Sequence, residues 1–249
     1  MENQQRTDII FGKNAVKEAL KSGRPIDYVL VAKGEEKSSL APIVAQCRKL
    51  GLLVKEADAK KLDFVCSHAN HQGVVLFVAA KEYCGIDDIF AFAGERGEPP
   101  FFVLCDSLED PHNLGAVVRT AEAAGVHGII LPERRSASLS GIVSKISAGA
   151  LEYMRVAKVG NINAAIETLK KRGVWIYAAD MDGTPYDQVD FSGPAALIIG
   201  SEGKGVSRLA REHADVIVSI PMHGKINSLN ASVAGGILMF AMAKRRGET

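Results

Sequence analysis

Three short stretches gather polar and charged side chains among glycines. The first, EDPHNLGAVVRTAEAAGV (residues 109–126), opens with Pro111 and Asn113, residue types that favour a helix start. Leu114, Val117, Val118, Ala121 and Ala124 recur at helical period as one apolar face, while Gly115, Arg119 and Glu122 fall on another. A glycine one turn before an arginine leaves the guanidinium open to a planar or anionic group. A surface arginine beside a packing glycine gives the same pattern. The second stretch, LIIGSEGKGVS (residues 197–207), ends an apolar run in glycines around Glu202 and Lys204. A Walker A loop needs a longer spacing and a Ser or Thr after its lysine, where this chain has Gly205. The dinucleotide fingerprint does not match either. The glycines instead free backbone amides and carbonyls to bond a neutral edge such as an adenine, or simply form a tight turn. The third stretch, IPMHGKINSLNASVAGGILMF (residues 220–240), crowds Asn227, Ser228, Asn230 and Ser232 where a helix begins, although one capping side chain is enough. Ser228 and Asn230 flank Leu229, so the two polar groups can share a side. Either the helix is generously capped or these groups face a ligand. The small residues behind them let backbone pack closely against a neighbour.

Such groups need strand ends and helix starts to hold them. Apolar, β-branched runs at residues 101–108, 128–132, 155–159, 174–180, 195–200 and 215–221 alternate with helical patterns at 114–124, 141–151, 162–173 and 229–244. This alternation predicts a parallel sheet covered by helices on both faces, with ligands beyond the carboxyl ends of its strands. All three stretches lie at such ends. Ahead of them, strand-like runs at residues 27–33, 52–57 and 73–81 and helical patterns at 14–21, 40–50 and 59–66 predict a small α/β domain. AGERGEPP marks a break between the two, giving domains at 1–80 and 101–249 with a linker at 81–100.

The chain has 249 residues, 47% hydrophobic and 24% charged, in keeping with a globular protein with a substantial core. A net charge of +1 carries no global nucleic-acid signature, although a neutral total can hide a basic face; Arg134-Arg135 and Lys244-Arg245-Arg246 are the local candidates, or simply a solvated loop and a frayed helix end. Four dispersed cysteines without a CxxC pair argue against a zinc site and for reduced thiols. A polar amino terminus, MENQQRTDII, and the lack of a long apolar run predict no signal peptide, no membrane span and a cytoplasmic location.

Together the three stretches, with SAGALE between them, resemble the SpoU family of the SPOUT superfamily, RNA 2′-O-ribose methyltransferases. The pieces IIFGKNAVKEAL and HQGVVLFV resemble the small L30e- or L7Ae-like RNA-binding domain that precedes the catalytic domain in many members. With EDPHN and REHAD, the arrangement is most similar to the RlmB type, which methylates a guanosine ribose in the peptidyl-transferase region of 23S rRNA. The resemblance implies an α/β trefoil-knot catalytic domain, S-adenosylmethionine as cofactor, no metal, a homodimer, and 23S rRNA or a precursor of the large ribosomal subunit as partner. It implies adenosine contacts at Gly200, Glu202, Gly203, Ile220, Met222 and Leu229. It places Arg119, Asn113, Glu202, Ser228 and Asn230 at the reacting centre, with Glu202 holding Arg119 or its own loop. Arginine effectively never deprotonates, so Arg119 is expected to bind phosphate and stabilise developing alkoxide charge. A tRNA 2′-O-methyltransferase and a non-catalytic RNA-binding assembly factor are the competing readings.

Overall fold

The structure, a computed structural model, describes residues 7–34 and 39–247. Residues 1–6, most of the polar amino terminus, lie outside the described residues. The chain divides into two compact units, and each is made of two separate pieces of sequence.

The first unit comprises Met1–Glu82 and Ser138–Tyr153. Its sheet has the order β1 (Thr7–Phe11), β4 (Val74–Ala79), β2 (Ile26–Ala32), β3 (Val54–Ala57). The pairings of β4 are antiparallel and β2–β3 is parallel. The period-2 alternation of β2 sends Val29 and Val31 to a core shared with α1 (Lys13–Ser22) and α2 (Ala41–Lys49). Leu30 and Ala32 enter the opposite core with Leu62 of α3 (Ala59–Val65). Both faces are thus covered, which is why β2 reads as a continuous apolar run. Strand β1 was not expected from the sequence, because its five residues end abruptly at Gly12, whose φ is +88°.

The second piece of this unit was expected to be one helix at 141–151 of the other domain. It is instead α6 (Gly141–Ile146) followed by a 3-10 turn (Ala150–Glu152). Ala148 and Gly149, at φ +52° and +92°, break the helix between them. Gly141 has no room for a side chain, since a Cβ there would stand 2.5 Å from the Ile9 carbonyl oxygen. The buried Glu152 carboxylate accepts from Arg24 Nη1 at 2.9 Å, and Arg24 Nε also donates to the Ala79 carbonyl.

The second unit comprises Tyr83–Ala137 and Met154–Thr249. Its six strands run in the order β10 (Val216–Ser219), β8 (Trp175–Pro185), β9 (Ala195–Gly200), β5 (Phe101–Asp106), β6 (Gly128–Pro132), β7 (Arg155–Val159). Every pairing is parallel. One face packs on α7 (Ile162–Lys171) and α8 (Arg208–His213), through Ile166, Leu169 and Ala210. The segment expected as a linker carries α4 (Ile86–Glu95), whose Ile89 is fully buried in this same core. Gly128 makes room for it: a Cβ there would approach Ile89 Cδ1 to 2.5 Å. The break signalled by AGERGEPP is real only after Glu95, and α4 ahead of it belongs to the sheet.

On the opposite face, α5 (Pro111–Ala123) packs beside α9 (Ala231–Gly247). Gly235 presses on the sheet, where a Cβ would stand 2.5 Å from Ile199 Cδ1, and a Cβ on Gly236 would meet Thr120 at 3.4 Å. The small residues near the start of α9 thus do allow close backbone approach. Among the described residues no helix is long and apolar enough to cross a membrane.

Candidate active site

Strands β5 and β9 run side by side to their carboxyl ends, Asp106 opposite Gly200. The strand order reverses here, with β6 and β7 beyond β5 and β8 and β10 beyond β9. Such a reversal opens a crevice above the sheet. Two cavities occupy it, one of about 880 Å³ and one of about 610 Å³.

The wall between them is the loop after β9. Ser201 and Gly205 exchange backbone hydrogen bonds of 3.1 and 2.9 Å, which closes a tight turn over Glu202, Gly203 and Lys204. Gly203 and Gly205 have φ of +80° and +63°, a region that side chains rarely adopt. A Cβ on Gly200 would collide with the backbone of Gly205 and Val206, so the strand meets its own loop without a side chain between. The buried Asp106 accepts from the Ser207 N–H at 2.7 Å and ties the far end of the loop to β5. Next to it, burial pushes the Cys105 thiol up to about 12, so this cysteine stays protonated and is no nucleophile.

The polar cluster at the start of α9 converges on Asn230. Its Oδ1 accepts from the Ser232 N–H (3.0 Å), the Val233 N–H (3.2 Å) and the Ser232 hydroxyl (2.6 Å), capping the helix. Its Nδ2 donates to Asn113 Oδ1 at 2.9 Å and to Glu202 Oε1. One amide therefore caps a helix and joins all three stretches singled out in the sequence. Asn113 is held buried in the first turn of α5, whose cap is Asp110, accepting from the His112 N–H at 2.9 Å. That hydrogen bond chiefly keeps the Asp110 carboxyl below its ordinary value.

The larger cavity is lined by Gly200, Glu202, Gly203, Ile220, Met222 and Leu229, and also by Ser228 and Asn230. Asn113 and Glu202 line the smaller one. Arg119 lines neither; it is exposed on α5 and makes no ion pair among the described residues. Gly115 is buried, so it does not share an open face with Arg119 and serves packing instead. Glu202 bonds Asn230 and not Arg119. Two further groups stand here, of which the sequence marked only the first, as half of the basic pair Arg134-Arg135. Arg135 lines the smaller cavity from a left-handed backbone, and Asp180 and Asp182 bring carboxylates to the larger one from β8. A polar residue closing an apolar run, as Asp180 does in β8, was the legible signal for the carboxylates; for Arg135 it was the basic pair with Arg134. Among the described residues no group of three or more His, Cys, Asp or Glu could hold a metal ion.

A parallel α/β sheet with a glycine-built cleft at its switch point defines a class of ligand-binding α/β proteins, and known proteins narrow it. The SpoU rRNA Methylase family matches residues 100–240, and the RNA 2′-O ribose methyltransferase substrate-binding family matches residues 9–84. A Bacillus subtilis (strain 168) protein named as belonging to the TrmH family of tRNA/rRNA methyltransferases, YacO, is 43% identical over 97% of both chains. The AdoMet-bound rRNA methyltransferase of Sinorhizobium meliloti superposes with a TM-score of 0.77 at 26% identity, covering 96% of this chain and 87% of its own. The A. aeolicus TrmH/SpoU tRNA modifying enzyme superposes with a TM-score of 0.56 at 30% identity, covering 65% of this chain and 84% of its own. The chain belongs to the SpoU (TrmH) family of RNA methyltransferases.

Proposed function

We propose that this protein transfers a methyl group from S-adenosylmethionine to the 2′-hydroxyl of a ribose in 23S rRNA, at a guanosine of the peptidyl-transferase region, in the cytoplasm. The observation that carries the reading is the Asn230 amide, which joins Asn113 and Glu202 where the two cavities meet. One cavity then takes the cofactor and the other the target nucleotide. The larger cavity lies in the size range of small-molecule sites, and Gly200 lets the loop that walls it fold tightly back on the strand end. Gly200, Gly203, Ile220, Met222 and Leu229 would hold the adenosine portion. When bound, S-adenosylmethionine supplies an electrophilic methyl on a sulfonium.

The chain's own part is alignment and charge. Asn113, Ser228 and Asn230 orient the ribose and its phosphate; fixing two reactants in line can contribute several kcal/mol, up to about 7–11 at best. Charge that develops on the ribose oxygen calls for a cation. Arg119 is the residue proposed for this, as a permanent cation and not as a base. Its exposed position outside both cavities of its own chain favours delivery within a homodimer. Val233, Ile237 and Phe240 support that arrangement, since they form an exposed apolar stripe at i, i+4 and i+7 on α9, the helix packed beside α5.

Ribosomal RNA is preferred to tRNA as the target because the A. aeolicus tRNA modifying enzyme covers only 65% of this chain, whereas the S. meliloti rRNA enzyme covers 96%. Incubating the protein with tritiated S-adenosylmethionine and either 23S rRNA fragments or total tRNA tests the proposal. Label in rRNA at a ribose 2′-oxygen is expected; label only in tRNA, or only on a base, refutes it.

A further inference from the structure

Helix α3 presents an arrangement that the active site does not use. Phe64 is 81% exposed, the most exposed large apolar side chain among the described residues. It does not stand out for want of a core. Leu62, two positions earlier, is fully buried, and Cys66 follows it inward one turn later. The helix is therefore anchored by one side and offers Phe64 from another. Its carboxyl end is pinned as well. Cys66 N–H donates to the Leu62 carbonyl at 2.9 Å and His68 N–H to the Asp63 carbonyl at 2.7 Å, with Ser67 and His68 locked at left-handed φ. The ring is thus held out on a fixed backbone, and an aromatic side chain with two torsions loses little freedom on binding.

The nearest helix-surface neighbours of Phe64 toward the amino end are cationic. Lys60 and Lys61 precede Phe64 by four and three residues, so both are its neighbours on the helix surface. Both are exposed, and neither makes an ion pair among the described residues. The nearby carboxylates have partners of their own: Asp58 pairs with Lys33 at 2.9 Å, and Asp63 hydrogen-bonds the His71 ring at 3.1 Å. A flat apolar ring flanked by two unneutralised ammonium groups is complementary to a base with its phosphates, and a protein core would find the lysines costly to cover.

We propose that Phe64, with Lys60 and Lys61, is a stacking site for an unpaired nucleobase of the RNA substrate, the lysines gripping the flanking phosphates. This rests on the reading that the chain acts on RNA, and α3 lies within residues 9–84, which match the substrate-binding family. A duplex keeps its bases inside, so the site selects loops, bulges and ends.

The test uses the full-length protein and a fluorescein-labelled RNA hairpin with an unpaired loop, against a continuous duplex of the same length. Phe64→Ala should weaken hairpin binding roughly 5- to 100-fold and leave duplex binding within about twofold, and Phe64→Trp should restore it. Replacing Lys60 and Lys61 by alanine should lower the salt dependence of hairpin binding by up to about 1.4 in log–log slope. The exposure of Phe64 makes loss of fold a minor concern, and an unchanged melting temperature checks it. Unchanged hairpin affinity in Phe64→Ala, or equal losses on hairpin and duplex, overturns the proposal. So does a fall in sedimenting mass without a change in RNA affinity, which would assign the ring to a contact between copies. If wild-type protein methylates no RNA while hairpin binding still depends on Phe64, the methyl-transfer reading fails and this inference stands.

Discussion

Asn230 has two jobs that a single substitution can separate. Its oxygen caps α9, and its NH₂ group ties Asn113 to Glu202. Asn230→Ala loses both, and about 1 kcal/mol of stability goes with the cap. Asn230→Asp keeps a good cap but replaces the donor with a carboxylate oxygen facing Glu202. The expected outcome is a near-native melting temperature in Asn230→Asp with methyl transfer largely lost, read by thermal unfolding alongside the tritium assay. Near-normal turnover in Asn230→Asp would mean that the bridge is only structural. The density of polar residues in NSLNAS was legible as excess capping or ligand contact; the structure shows Asn230 capping the helix and, with its other end, bonding Asn113 and Glu202. Arg119 was legible as a candidate, but its exposure was not: helical period fixes the side of a helix, and what covers that side depends on the tertiary fold.

Elements of the catalytic sheet were legible wherever apolar runs and helical period were strong. The failures have physical causes. Helix α4 was hidden because glycines and prolines just beyond it dominate the local composition, whereas its place is decided by burial of Ile89 against β6. The helix expected at 141–151 was cut by left-handed Ala148, a residue that gives no warning of that backbone. At the β9 turn, Gly200→Ala must push a methyl into the Gly205 backbone. We expect it to cost roughly 1–3 kcal/mol and to weaken S-adenosylmethionine binding, measured by thermal unfolding and calorimetry. Unaltered cofactor affinity would remove this turn from the site. The strand β5 start carries a pH signature. His127 is buried, its Nδ1 accepts from the Phe101 N–H at 3.0 Å, and its Nε2 lies 3.1 Å from Glu98. Burial holds its pKa below the ordinary 6.5, so the folded state binds fewer protons than the unfolded one. Its stabilisation is complete above about pH 6.5 and declines as pH falls toward the depressed value. The melting temperature should therefore drop between about pH 7.5 and about pH 5.5, and less steeply in His127→Gln. Identical slopes would exclude His127 as the source.

For the whole molecule, the stripe of Val233, Ile237 and Phe240 leaves α9 an apolar face open to a second copy. On the proposed homodimer, Phe240→Glu should halve the mass seen by sedimentation velocity and abolish transfer without disturbing the monomer's fold; an unchanged mass would remove this stripe from any subunit contact. The composition break near residue 96 falls inside the second unit, which begins at Tyr83, so it did not mark the division; the end of the strand run at 73–81 lies nearer to it. The crossing of the chain back into the first unit was not legible, because contacts between distant segments leave no local pattern. That crossing sets an order of assembly. When a ribosome has delivered the first 137 residues, Arg24 still lacks the carboxylate of Glu152, and the floor supplied by Gly141 and Ile142 has not been made. The amino-terminal body, although begun first, must wait for the middle of the message before it can close, so the nascent chain carries an unfinished hydrophobic surface while its catalytic half is already being translated.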